Sequence, residues 1–158
     1  MSVHTRSVVA STDTPLSVKA IRFLLGFLGI TATGGGIALM LGLGGEEWMP
    51  TSWLDGVPFI DSWFIPGLVL GLGFGLGSLL VLLATIRRPD WPVTGQLWGR
   101  HWSWAALLAI GLGHVIWIGL QLVYMPEVSP LQPIYGAIGL ALFLLPLLPS
   151  ARAHFAED

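Results

Sequence analysis

The chain has 158 residues, of which 7 are Lys or Arg and 9 are Asp or Glu, a formal net charge of -2 and a charged fraction of 10% against about 25% in an ordinary soluble domain. With 54% hydrophobic residues and a mean hydropathy of +0.77, it carries more apolar surface than a small globule can hide around one core, which excludes a soluble globular protein. The absence of a basic block excludes nucleic acid as a partner, and the absence of cysteine excludes disulfides, thiol nucleophiles and Cys-ligated metals.

Residues 1–22 read as a cytoplasmic N-terminal tail, whose first part mixes Ser, Thr, His, Asp and Val without a sustained period and leads through Pro15 towards the first apolar run. Residues 23–149 read as a membrane domain, because four stretches without Asp, Glu, Lys or Arg, at 23–43, 64–86, 102–124 and 131–149, are each long enough to cross about 30 Å of hydrocarbon. Each is expected to be a helix, since lipid offers no partner for backbone N–H and C=O groups and the alternation of a barrel strand is missing. The first run is too long for the h-region of a signal peptide, about 7 to 15 residues, and no A-x-A-like site closes it. The loop at 44–63 holds Trp48, Trp53 and Trp63 with Pro50 and Pro58, a composition that favours a compact cap over a floppy linker.

The second run is the glycine-rich one. At about 100° per residue, Gly67, Gly71, Gly75 and Ser78 fall within about 80° of one another, with Gly73 and Gly77 on the opposite side, so both faces are expected to pack closely against other helices. Pro89 and Pro92 bar a helix from running through the next loop. Pro126 and Pro130 bracket a tight connection that pairs the third and fourth runs antiparallel. Residues 150–158 read as a second cytoplasmic tail. All seven basic residues, Arg6, Lys19, Arg22, Arg87, Arg88, Arg100 and Arg152, lie in the segments assigned to one side, whereas Glu46, Glu47, Asp55, Asp61 and Glu127 occupy the other two loops. The positive-inside rule then places both termini in the cytoplasm, with Trp91, Trp98 and Trp102 in the inner interfacial belt. The expected fold is therefore an all-α, multi-pass integral membrane protein of the cell membrane, four transmembrane helices in an antiparallel bundle.

His114, midway along the third run, is the one side chain titratable near neutral pH inside a span, and intramembrane ionisable residues are functional candidates because burying them is costly. Gln121 lies about 20° around the helix and about 10 Å nearer the outer face. The first expectation is that His114 hydrogen bonds a hydroxyl at similar depth, Thr31, Thr33 or Ser78, and braces the bundle. Gln121, Tyr124, Gln132 and Tyr135 all lie towards the outer ends of the third and fourth runs, where a half-polar pocket could open between helices. No cofactor and no metal is expected: His101 lies about 140° around from His114, so one chain cannot ligate haem with two imidazoles, and no two His share metal-ligand spacing. No phosphate cradle or nucleophile elbow appears.

At Pro58-Phe59, Ile65-Pro66-Gly67 and Leu131-Gln132-Pro133, with Tyr135 and Gly139, the chain resembles a loose group of small four-span bacterial membrane proteins, and in span number and size it is similar to DoxX-like membrane proteins. The resemblance implies a four-helix bundle and no activity. The functional expectation is a non-catalytic accessory membrane protein, in contact with the bilayer and forming a homo-oligomer or part of a larger membrane complex. The alternative is a binder or carrier of a small apolar solute, lipid or quinone through an outer pocket between the third and fourth runs.

Overall fold

The computed structural model describes residues 13–89 and 99–156; the expectations for the first twelve residues and for Pro92, Trp91 and Trp98 lie outside them. The chain is helical, and among the described residues three helices are long and apolar enough to cross a membrane: α1 (Leu16–Met40), α3 (Phe64–Arg87) and α4 (Trp102–Tyr124). Between the first two lie the single-turn α2 (Gly45–Trp48) and a 3-10 turn at Thr51–Leu54. After α4 come α5 (Leu131–Leu144), a 3-10 turn at Leu145–Leu147 and the short α6 (Pro149–His154).

Helix α1 begins at Leu16, seven residues before the uncharged run, so residues 16–22 are not a tail. Val18, Ile21, Leu25 and Leu28 are fully buried at helical spacing, and this stripe extends the helix past Lys19 and Arg22, which lie off it. The Arg22 guanidinium is accommodated by donating to the Thr85 carbonyl at 2.6 Å.

Helices α1 and α3 run antiparallel with their backbones in contact. A Cβ on Gly36 would collide with the Gly71 backbone, and one on Gly67 would lie 2.8 Å from Gly36 O; only glycine permits that approach. Gly67, Gly71, Gly75 and Ser78 are all buried, forming the expected face. The opposite face packs within the chain only in part. Gly77 meets Ile110 of α4, but a Cβ on Gly73 would meet nothing within 4 Å. Residues Val69–Leu76 are π-helical, with i→i+5 bonding, and Gly73 faces outward from this chain.

Helices α4 and α5 form the second antiparallel pair, with Gly111 against Phe143 and Gly139 against His114 and Val115. The fourth run is shorter than its apolar stretch, since the helix covers Leu131–Leu147. Pro146 lacks the N–H that would bond to Leu142, so the last turn tightens to 3-10 and Leu148 is extended. The C-terminal segment is not a tail either. Ala151 is 0% and Phe155 1% exposed, the Phe155 carbonyl accepts from His101 N at 2.9 Å, and Arg88 donates to the His154 and Ala156 carbonyls at 3.1 and 3.3 Å. Around the outside, large apolar side chains such as Phe23, Ile30, Leu72, Leu80 and Val123 are exposed, the reverse of a water-soluble surface.

Candidate functional site

Beneath the segment joining α1 to α3 lies a chamber of about 640 Å³, within the range of small-molecule sites. Its roof is the cap. The Glu46 carboxylate accepts from Thr51 N and from Thr51 Oγ1 at 2.8 and 3.1 Å, Trp63 Nε1 donates to the Met49 carbonyl at 2.8 Å, and Leu54 is only 2% exposed. These bonds hold Trp48, Trp53 and Trp63 against the chamber. Thr31, Gly35 and Leu39 of α1, Pro66 and Leu70 of α3, and Trp117 and Ile118 of α4 complete walls that are mainly apolar and aromatic.

All five residues singled out for a ligand or proton site, His114, Gln121, Tyr124, Gln132 and Tyr135, line this one chamber. Their roles differ. His114 is 1% exposed, and neither ring nitrogen has a hydrogen-bond partner. The expected hydroxyl partners are engaged or out of reach: Thr33 Oγ1 donates to the Gly29 carbonyl at 2.7 Å and Thr31 Oγ1 to the Phe27 carbonyl at 2.8 Å, each bonding back to its own helix, while Ser78 Oγ is itself buried without a partner. The imidazole sits instead among rings, edge-on to Phe74 at 4.9 Å between centroids and tilted to Tyr135 at 6.1 Å. Tyr135 also stacks on Phe27 of α1 at 6.2 Å.

Gln132 serves the backbone. Its Oε1 accepts from Ser129 N, and Ser129 Oγ accepts from Leu131 N at 3.2 Å, so the α4–α5 connection is closed by its own side chains. Gln121, half-buried, and Tyr135 make no side-chain hydrogen bond with the described residues. Tyr124 is 39% exposed at the end of α4. Among the described residues lining the chamber there is no Lys or Arg, and Glu127, exposed in the α4–α5 connection, is the sole formal charge.

His101, at the other end of α4, is 4% exposed and fully employed. Its Nε2 donates to the Pro89 carbonyl at 3.1 Å, which leaves Nδ1 as the acceptor for Ser103 N at 3.3 Å and for Ser103 Oγ at 2.7 Å; the side chain caps the helix N-terminus. No group of three or more His, Cys, Asp or Glu among the described residues is placed to hold a metal.

That the cap forms the roof of a chamber had only a partial signal in the sequence. Three indoles and two prolines in one short loop signal a compact cap, but nothing in that composition says that the cap closes over a cavity. The contribution of α1 through Thr31, Gly35 and Leu39 had no such signal, because small and apolar residues in a span look alike whether they face lipid, a helix or a cavity. No family model matches the chain, no curated protein is similar to it, and no solved structure matches it.

Proposed function

We propose that the chain is a four-span membrane protein with both termini cytoplasmic, which binds, and holds or carries, a small and largely apolar molecule in the chamber under its cap. Several observations support the membrane reading. Leu131–Leu147 extends about 27 Å at helical and 3-10 rises, close to the hydrocarbon thickness of about 30 Å. Lys19, Arg22, Arg87, Arg88, Arg100 and Arg152 all lie at or beyond one end of the helices, and the acids of the cap and of the α4–α5 connection lie at the other.

The observation that carries the binding reading is the imidazole of His114, buried in the chamber lining without a hydrogen bond. A bracing residue makes interhelical polar bonds, and this one makes none. A buried polar group left unpaired costs about 1–3 kcal/mol, a cost that a ligand group can offset. The test is solvent extraction and mass analysis of protein purified in a gentle detergent, comparing the wild type with Gln121→Leu and Tyr135→Phe. The wild type is expected to retain one compound enriched over bulk lipid, and each variant to lose most of it at nearly unchanged melting temperature. A fall in stability with no specific compound lost returns the protein to the accessory class.

A further inference from the structure

This inference rests on reading the chamber as a binding site and concerns what it takes. We infer that the ligand is electrically neutral and carries a flat ring head with carbonyl or hydroxyl oxygens, as quinones do, that the head seats against His114, and that an apolar tail points towards the cap.

Charge makes the first selection. With no Lys or Arg among the described residues of the lining, the carboxylate of a fatty acid or the phosphate of a lipid would enter an apolar space without a counter-ion, which is strongly unfavourable. Among the described residues of the lining, a lipophilic cation finds an opposite charge at Glu127 alone, in the exposed connection. That connection is about 15 Å along the α4 axis from His114, so a cation held there would leave the imidazole unserved.

Hydrogen bonding makes the second. A neutral imidazole offers one N–H donor and one lone-pair acceptor, and both are unused at His114. A ring carbonyl accepts from the first and a ring hydroxyl donates to the second, so one side chain serves either form of such a head. Shape makes the third. Tyr135 and Trp117 line the chamber together with His114, the Tyr135 ring tilted to the imidazole at 6.1 Å between centroids, and such flat aromatic walls favour a flat ring over a branched or globular head. Because the His114 nitrogens are covered, seating the head requires the side chains around the imidazole to shift.

The experiment uses the full chain, washed free of lipid in detergent, with three probes: decylubiquinone, oleate and tetraphenylphosphonium. Binding is read by equilibrium dialysis and by the shift in melting temperature. Decylubiquinone is expected to bind once per chain and to raise the melting temperature, with the other two weaker by about tenfold or more, as expected when one good polar contact is missing. His114→Phe is expected to lose decylubiquinone binding by about tenfold, and His114→Gln, which keeps a donor and an acceptor, to restore part of it; this second variant keeps the test decisive if the first folds poorly. Tighter binding of oleate or tetraphenylphosphonium, or quinone binding indifferent to both substitutions, overturns the ligand class. If such binding is abolished by Gly35→Leu, which narrows the chamber, the chamber remains a binding site. No binding of any probe counts against both readings.

Discussion

A polar ring at the middle of an apolar helix pair has two uses, to tie helices together or to meet something else, and they separate by substitution. An interhelical hydrogen bond in a membrane contributes roughly 0.6–2 kcal/mol, so a bracing histidine replaced by an apolar ring should cost that much. The His114 nitrogens have no partner to lose, so His114→Phe is expected to leave the ligand-free protein within about 0.5 kcal/mol of the wild type, or to stabilise it. Reversible unfolding in mixed detergent measures this, and a loss above about 1 kcal/mol would point to bracing. The depth of His114 was legible from its place midway along an uncharged run. Its isolation was not, because whether Thr31 and Thr33 turn to a neighbour or back to their own helix depends on side-chain rotamers that spacing does not encode. His154 gives a pH prediction from the other end of the molecule. Burial first, and the charges of Arg22 and Arg88 second, hold its proton affinity below the ordinary histidine value. Above about pH 6.5 the ring is neutral in both folded and unfolded chains, and its contribution is fully present. On acidification the unfolded chain takes up a proton that the folded one resists, so stability falls as pH drops below that value. His154→Gln should flatten the profile between pH 7 and 5, and a steeper acid loss in the variant would contradict the assignment.

Close approach decides which glycines matter within the helices. Because a Cβ on Gly36 strikes the Gly71 backbone while one on Gly71 clears Gly36 Cα by 3.4 Å, Gly36→Ala should destabilise by about 1–3 kcal/mol, as overpacking does, and Gly71→Ala should cost much less. Gly73→Leu, on the open face, should leave the fold intact. Equal losses at Gly36 and Gly73 would refute this packing. The small-residue face of α3 was legible on a helical wheel, and it holds although eight of the helix residues are π-helical; Gly73, on the opposite side, meets no neighbour within the chain. Helix ends were less legible than helix existence. Pro146 shortens the fourth helix inside an unbroken apolar run, and the burial of Phe155 was invisible in a short polar terminus. Phe155→Ala should cost about 3–5 kcal/mol, whereas a residue of a free tail would cost almost nothing.

Across the whole molecule, the basic residues gather at the end of the helices opposite the cap. If the basic end faces the cytoplasm, a cysteine introduced at Ser52 in the cap should react with an impermeant maleimide in intact cells and one at Ala153 only after lysis; the opposite pattern would invert the orientation. The helical, apolar architecture could be read from composition and run length, since lipid leaves the backbone little choice. The chamber could be read only in part, because Gln121, Tyr124, Gln132 and Tyr135 marked its wall while its roof and the α1 face depend on how the cap folds. The chamber under the cap is expected to be occupied in the cell. The most direct measurement is the native mass spectrum of the chain released from gentle detergent. A discrete adduct of one defined mass, one per chain, that disappears in Gly35→Leu is expected. Bare chain, or a ladder of bulk lipids unchanged by that substitution, would contradict it.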